Sequence, residues 1–164
     1  MSSTKIDPGK MRLITVQMLQ GGLTTTPEFQ QNNQPGEFFV DIQVGYAPFL
    51  NIAENGIAIR MVLHLNGIRN DKGKKEPVGI RAEYVYHFYF QVDNLSQFIS
   101  EKDAVSAALT TTLVSMSYST LRGIVLERTT GTLLGGVILP VINPAAFVKE
   151  NLISSDASKT VDNK

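Results

Sequence analysis

The chain has 164 residues, of which 43% are apolar, and its fifteen basic and fifteen acidic side chains cancel. This length favours one domain that buries most of its surface. The balanced charge lacks the electrostatic footprint of a nucleic-acid or anionic-membrane binder, so we expect neither partner. The chain contains no cysteine, which excludes disulfides, thiolate metal sites and cysteine nucleophiles.

The domain boundaries follow from composition. We expect a flexible segment over residues 1–10, a single domain over 11–153 and a disordered tail over 154–164, where the sequence becomes polar and charged. The start resembles no signal peptide, and no apolar run approaches the roughly 20 residues that span a bilayer. The sequence therefore predicts a cytoplasmic protein with no direct membrane insertion.

Strand patterns fill the first half of the chain. Met11–Gln20 is rich in strand-forming residues but apolar on both faces, which predicts that both faces are covered. Gly21–Gly36 is the longest predicted loop, and such loops are often functional. The second strand alternates from Phe38 to Val44 and is predicted to break at Pro48.

Two longer strands come next. In the third strand, five apolar residues from Ile57 to Leu65 share one face while Arg60, His64 and Asn66 share the other. Asn70–Lys75 carries the Gly and Asx residues of a hairpin turn. Val78–Val92 is long and aromatic. The predicted inward side chains are Ile57, Ile59, Met61, Leu63 and Leu65 in the third strand, and Ile80, Tyr84, Tyr86, Phe88 and Phe90 in the fourth.

A long helix is predicted after the strands. It should begin at Ser100, with Asp103 in the position of a capping-box acid, and end at Gly131. Its apolar residues form two stripes, which implies two packing partners. The first stripe contains Val105, Leu109, Leu113, Met116, Thr120 and Ile124, and the second contains Val114, Leu121 and Val125.

The segment that follows the helix, Gly131–Asn143, is apolar and carries no charge. We call it the connector. Left in water, its large side chains would forfeit on the order of 10 kcal/mol, so the chain's own core, another subunit or an apolar ligand must cover them. Asn143 and Pro144 then predict the cap and first turn of a short closing helix. The connector's large apolar residues are Leu133, Leu134, Val137, Ile138, Leu139, Val141 and Ile142.

No catalytic motif emerges from the residues. His64 and His87 lie on predicted strands without a second ligand at metal spacing, and Gly135-Gly136 lacks the setting of a phosphate or dinucleotide loop. We therefore expect no metal, no cofactor and no enzymatic activity. An enzyme with an aromatic pocket stays an alternative of low weight, because no acid-base group accompanies the tyrosines that would line it: Tyr84, Tyr86 and Tyr89.

The segment Ser117–Leu152 resembles the SecB family of protein-export chaperones. In that family a helix ends before a Thr/Gly-containing loop, and an apolar segment then reaches an (L/I)-x-P-(V/I)-N-(F/P) pattern and a terminal helix. The order of four strands, long helix, connector and short helix is similar as well. Here the likeness is carried by Leu139, Pro140, Val141, Ile142, Asn143, Pro144 and Phe147.

The resemblance implies an α+β fold with a four-stranded antiparallel Greek-key sheet, assembled as a dimer of dimers with long helices between the sheets. It also implies an ATP-independent chaperone, or holdase, that binds unfolded polypeptides in apolar grooves. We expect such a groove near Leu23, Phe29, Leu133, Leu134, Val137, Ile138 and Phe147. We expect subunit contacts at Val16, Leu109, Leu113, Met116, Thr120 and Ile124.

Two alternatives stay open. Family members that dock the SecA motor carry carboxylates on the outer sheet face, whereas this chain has Arg60 and Arg81 beside Asp41 and Glu83. SecA is therefore a weaker expected partner, and a SecB-like chaperone dedicated to an antitoxin is the runner-up. A non-catalytic homo-oligomeric adaptor, with its connector buried between subunits, is the alternative from another class.

Overall fold

The computed structural model describes residues 6–31, 37–102 and 104–153. They form the predicted α+β fold, a four-stranded antiparallel sheet with a long helix and a short C-terminal helix on one face. The strands are β1 (Met11–Thr25), β2 (Phe39–Asn51), β3 (Gly56–Asp71) and β4 (Lys74–Val92), and the helices are α1 (Pro27–Gln31), α2 (Ala107–Thr129) and α3 (Pro144–Glu150).

The strand order is β1-β4-β3-β2, which confirms the predicted Greek key. Hairpins join β2 to β3 and β3 to β4, while the longer connection from β1 to β2 crosses from one edge of the sheet to the other. The β3–β4 hairpin turns at Lys72 and Gly73, which both have positive φ, at 49° and 83°. Two such residues match the right-handed strand twist, so the predicted turn at Asn70–Lys75 is confirmed.

The hydrophobic core lies between the inner face of the sheet and α2. The inward side chains predicted for the third and fourth strands are all buried there. One side of α2 covers them, and its hydroxyl residues Ser117 and Thr129 donate to carbonyls one turn earlier, which leaves no free buried donor. The core side of α2 consists of Leu109, Thr110, Leu113, Val114, Ser117, Tyr118, Leu121, Val125 and Thr129.

The first strand differs from its prediction in length and in facing. β1 continues to Thr25 and α1 follows, so the loop predicted over Gly21–Gly36 is wrong through residue 31, and residues 32–36 lie outside the described part. Register shifts occur between Leu13 and Thr15 and between Met18 and Gln20. Each adds one residue to β1 and restores the alternation. The positions of β1 that pair with buried β4 residues therefore lie on the inner face. They are Met11, Leu13, Val16, Met18, Gly21, Leu23 and Thr25.

Two predicted boundaries are also wrong. β2 runs through Pro48 to Asn51, because β2 is an edge strand, where a residue without an N–H is tolerated. The long helix begins at Ala107 rather than Ser100, and Ser106 caps it by accepting from the Leu109 amide at 3.3 Å. Asp103 lies outside the described residues.

The ends of the two helices match the sequence signals. Gly131 follows the last turn of α2 with φ 75°, the left-handed conformation that glycine adopts without strain. Asn143 caps α3, its side-chain oxygen accepting from the Ala145 and Ala146 amides at 3.1 and 3.2 Å, and Pro144 occupies the first turn.

The terminal segments are described in part. Within the predicted flexible segment 1–10, residues 8–10 form a 3-10 turn capped by Asp7, and Ile6 packs against the core. The predicted tail over 154–164 lies outside the described residues. Among the described helices, none is both long enough and apolar enough to cross a membrane.

Candidate functional site

The connector begins with a tight reversal at the end of α2. The carbonyl of Thr129 accepts from the amides of both Thr132 and Gly136, at 3.1 Å each. Gly135 and Gly136 have φ values of 73° and 83°, which side chains disfavour. The reversal sends the connector back along the helix that it has just left.

Side chains of α2 then hold the returning backbone. The Val137 amide donates to the Thr129 hydroxyl at 2.6 Å, the Arg122 Nε donates to the Leu139 carbonyl at 3.0 Å, and the Tyr118 hydroxyl donates to the Pro140 carbonyl at 2.9 Å. Residues 118, 122 and 129 are spaced by four and seven, so they lie on one side of the helix. Burial raises the pKa of Tyr118, which keeps its hydroxyl protonated as a donor. The connector is thus an extended segment anchored by side chains, without a partner strand in the described residues.

This anchoring divides the apolar side chains of the connector into two sets. Leu134, Val137 and Leu139 are buried in the core. On the outer side, the exposed fractions are 60% for Leu133, 66% for Ile138 and 83% for Val141. Large apolar side chains at this exposure, close together in one short segment, are typical of a surface that contacts a partner.

The free edge of β2 supplies a second, polar feature. The Tyr46 amide donates to the Asn151 carbonyl at 3.0 Å and the Tyr46 carbonyl accepts from the Ile153 amide at 2.8 Å, so the backbone of Tyr46 faces away from β3. Strand backbones alternate in direction, so Val40, Ile42 and Val44 point their amides and carbonyls the same way. No described strand pairs with them.

Residues 151–153 already occupy one position of this edge as a short parallel bridge to Tyr46. Ile153 packs directly over Gly45, where a Cβ atom would lie 2.7 Å from the Ile153 Cγ1. The bridge cannot extend toward the end of β2. Pro48 is the next residue whose backbone points to the free edge, and it has no N–H to donate. The edge accepts short extended segments but not a long added strand at this end.

Three aromatic rings join the connector to the β2 edge. The Phe147 ring of α3 lies 5.4 Å from the Tyr118 ring and 6.1 Å from the Tyr46 ring. Tyr118 contacts the connector through the Pro140 carbonyl, and Tyr46 donates to the Val148 carbonyl at 2.9 Å. These buried rings pack the connector, α3 and β2 together through the core. We call the exposed connector residues Leu133, Ile138 and Val141, together with the free edge of β2, the candidate groove.

The seven residues predicted to line a groove occupy different environments. Phe29, Leu134, Val137 and Phe147 are buried in the core of this chain, Leu23 is half-buried, and only Leu133 and Ile138 are exposed. Phe29 packs against Phe38, 6.2 Å between ring centroids. The accessible part of the predicted set is thus Leu133 and Ile138, to which the structure adds Val141.

The predicted subunit contacts also divide. Leu109 and Leu113 are fully buried on the core side of α2. Met116 and Thr120 are exposed on the opposite side of the helix, and Ile124 is half-buried. Val16 is half-buried on the inner face of β1. Leu13 and Met18 share this face and stay exposed, so the described chain covers the inner face of β1 only in part and leaves the outer side of α2 uncovered.

The arrangement of tyrosines argues against the aromatic pocket. Tyr84 and Tyr86 are buried on the inner face, whereas Tyr89 has the opposite parity on β4 and lies on the outer face. The three side chains do not converge. Among the described residues, no cluster of three or more His, Asp or Glu side chains could hold a metal ion.

Several residues of the candidate groove were not predicted from the sequence. The anchoring roles of Tyr118, Arg122 and Thr129 depend on the path of the connector, which no local pattern encodes. The β2 edge became visible only with the strand order. A signal did exist for Val141, which belongs to the apolar connector and follows Pro140 in a segment that cannot be helical.

Comparison with known proteins gives a fold-level likeness. No family model matches the chain, and no curated protein matches it. Among solved structures, the chain is similar to the Mycobacterium tuberculosis SecB-like chaperone Rv1957, solved in complex with a ChAD peptide from the Rv1956 HigA1 antitoxin. The TM-score is 0.56 at 16% identity, covering 82% of this chain and 92% of that one.

A Streptococcus agalactiae protein of unknown function aligns over 80% of this chain and 97% of its own, at 15% identity and a TM-score of 0.29, too low to support an argument. The alignment with the SecB-like chaperone, by contrast, covers 92% of that chain. At this level of identity it shows the fold. The chain therefore has the fold of a SecB-like chaperone.

Proposed function

We propose that this chain is an ATP-independent chaperone that holds unfolded polypeptides in the candidate groove. The observation that carries the proposal is the exposure of Leu133, Ile138 and Val141, and the unpaired edge of β2 among the described residues supports it. The fold it shares with a chaperone solved in complex with a peptide supports the same role.

The chemistry of the groove suits an extended apolar client. Contacts to Leu133, Ile138 and Val141 are non-directional and scale with buried area, so many sequences can bind. Backbone groups of Val40, Ile42 and Val44 can add hydrogen bonds to an extended chain without reading its side chains. A folded protein offers neither exposed apolar segments nor free backbone, so it is not a client.

We propose further that the active form is a homo-oligomer, a dimer of dimers. The outer side of α2 and the inner face of β1 both present apolar residues that this subunit leaves exposed, including Met116, Leu13 and Met18. A second copy that covers them would leave the exposed side of the connector for clients.

The second candidate function is that of a chaperone dedicated to one antitoxin. The structural neighbour was solved with an antitoxin peptide, and that observation favours this alternative over general export. A general holdase suppresses the aggregation of many unfolded proteins, whereas a dedicated chaperone acts on one. Docking to SecA has less support, because the outer face of the sheet carries arginines as well as carboxylates.

The test compares two isoleucine variants in aggregation assays. Ile138→Asp places a charge in the groove at an exposed position, and Ile52→Asp makes the same change at an exposed position in the β2–β3 loop. Chemically unfolded clients are diluted with each protein at equal subunit concentration, and light scattering is followed. We expect wild type and Ile52→Asp to suppress aggregation and Ile138→Asp to lose at least fivefold in potency.

Native mass spectrometry of the same variants separates the holdase from an adaptor. Retained assembly with lost client binding supports the groove. Loss of assembly in Ile138→Asp means that the connector is buried between subunits, as in an adaptor, and contradicts the proposal. Wild-type protein that suppresses the aggregation of no client also contradicts it.

A further inference from the structure

The outer face of the sheet, opposite the core, carries three arginines with neutral partners. The Arg60 Nε donates to the His87 Nε2 at 2.8 Å, the Arg12 Nη2 donates to the Gln91 side-chain oxygen at 3.2 Å, and the Arg81 Nε donates to the Thr24 hydroxyl at 3.3 Å. Within the described residues, ion pairs join Lys75 to Asp41 and Arg128 to Glu127, and none involves these arginines.

Arg60 is the most elaborately supported of the three. Its guanidinium carbon lies 4.8 Å from the centroid of the Phe49 ring, a cation-π distance. The Phe49 ring also packs 5.7 Å from the His87 ring. The Arg60 side chain is therefore held from β2 on one side and from β4 on the other.

The hydrogen bonds around His87 run in one direction. Arginine only donates, so the His87 Nε2 accepts and the ring proton resides on Nδ1. Nδ1 lies 3.0 Å from the Tyr89 oxygen, which therefore accepts, and the Tyr89 hydroxyl donates to the Gln17 side-chain oxygen at 3.5 Å. Residues from all four strands thus orient one guanidinium group.

Among the described residues, no carboxylate pairs with Arg60. The side chain is half-buried, where an unpaired charge is costly, and its neighbours Phe49, His87 and Tyr89 are neutral. Its terminal amino groups make no hydrogen bond to the described residues. The carboxylates of this face, Asp41 and Glu83, lie toward the other end of the strands, where Asp41 contacts Lys75.

The surroundings of Arg60 favour a protein surface as the source of the anion. Ala47, which pairs with Arg60, and Ala58, two residues before it on β3, are small, so these neighbours form no walls that would enclose a small molecule. Arginine and aromatic side chains at the centre of a patch are typical of the residues that dominate protein interfaces. A carboxylate can accept from both terminal amino groups of one arginine, which makes the pair directional.

We propose that Arg60, supported by Phe49 and His87, is the centre of a docking site for an acidic segment of a partner protein. A carboxylate of that segment accepts from the two terminal amino groups of Arg60. This site lies on the opposite side of the sheet from the candidate groove, so it does not depend on the proposed chaperone function.

The test is an NMR titration of the full chain with a capped octaglutamate peptide, read at the His87 ring nitrogens and fitted for affinity. Arg60→Gln should weaken binding at least fivefold. Arg128→Gln, which removes the same charge from the exposed end of α2, should weaken it less than twofold. Equal losses in the two variants, or binding that leaves the His87 resonances unmoved, would overturn the proposal.

Control ligands distinguish an acidic protein partner from other binding partners of Arg60. An octalysine peptide should not bind at this site. If a dT8 oligonucleotide bound through Arg60 more tightly than octaglutamate, the proposed partner would be a nucleic acid instead of an acidic protein segment.

Phe49→Leu, which keeps every charge and removes the ring, should weaken octaglutamate binding at least threefold. Unchanged binding would contradict the role of the ring. Aggregation suppression by Arg60→Gln should equal that of wild type, and a parallel loss would mean that the site is not separate from the groove.

Discussion

The Val137 amide donates to the Thr129 hydroxyl at 2.6 Å, while that hydroxyl donates to the Val125 carbonyl at 2.8 Å. Thr129 is fully buried, so no water can replace it. Thr129→Val keeps the shape and removes the hydroxyl, which leaves a buried amide unsatisfied. We expect the free energy of unfolding to fall by about 1–3 kcal/mol, measured by urea denaturation.

Thr129→Ser is the matched control, because it keeps the hydroxyl and loses only a methyl group. It should recover most of the stability that Thr129→Val loses. If Thr129→Ser loses stability and Thr129→Val does not, the methyl contact rather than the hydrogen bond anchors the connector.

Gly45 provides a test of the bridge between β2 and residues 151–153. A Cβ atom there would lie 2.7 Å from the Ile153 side chain, so Gly45→Ala should displace Ile153 and lower the free energy of unfolding by about 1–3 kcal/mol. The Ile153 amide, which donates to the Tyr46 carbonyl, should exchange its hydrogen faster. Hydrogen exchange measured by NMR checks the second expectation.

Gly22→Ala is the control for this change. Gly22 also lies in an edge strand, but no atom approaches the position of its Cβ within 4 Å. This variant should match or exceed the stability of wild type, because alanine restricts the unfolded chain more than glycine does. Equal changes in the free energy of unfolding at the two positions would mean that the contact between Gly45 and Ile153 does not contribute to stability.

The sequence predicted the fold best where one face of an element is buried. β3 and β4 alternate in burial because one face of each strand packs on the core and the other does not, so period-2 patterning gave their facing correctly. The Gly and Asx turn residues gave their hairpin. β1 failed because two bulges shift its register, and bulges depend on pairing with β4 rather than on local composition. The predicted helix start was wrong because Ser100 and Ser106 both suit a cap, and an antiparallel bridge between Ile99 and Val105 precedes the helix instead.

The candidate groove was only half predictable. An uncharged connector of seven large apolar residues must be partly covered, and its sequence carried that information. Which residues are covered depends on the side chains of α2 that hold the connector, so Leu134 and Val137 became core while Leu133 and Ile138 stayed exposed. The network around Arg60 was invisible for a similar reason, because it joins residues from four strands.

His87 should make stability depend on pH. Burial, with a smaller contribution from Arg60, lowers the pKa of His87 below its ordinary value near 6.5. The unfolded chain therefore binds a proton at a higher pH than the folded chain does. The sign follows from linkage: stability falls as pH drops from about 6.5 toward the folded-state pKa, and denaturation curves across this range measure it.

The groups facing His87 are Arg60 from β3, Tyr89 from β4 and the uncharged Gln17 from β1, with the Phe49 ring from β2. His87→Gln should reduce the slope of stability against pH in this range. A slope unchanged by His87→Gln would exclude this residue as the source.

Gly123 tests whether the outer side of α2 lies between subunits. It is four residues from Ser119 and seven from Met116, on the side of α2 away from the core. Apart from the nearby backbone of α2 itself, no atom of the described residues lies within 4 Å of its Cβ position. Gly123→Arg therefore costs nothing within one subunit and, in a helix interior, favours the folded helix. Against a second copy, the same side chain would force a clash and an unpaired charge into the interface.

We therefore expect Gly123→Arg to reduce the assembly by at least one step, from dimer of dimers to dimer or from dimer to monomer, with circular dichroism unchanged. Native mass spectrometry at matched concentrations measures the change. Gly22→Arg places the same side chain in open space on the outer face of β1 and should keep the wild-type mass. An assembly that survives Gly123→Arg would mean that the outer side of α2 faces solvent, and the subunit contacts would then have to involve the exposed inner face of β1, where Leu13→Asp provides the corresponding test.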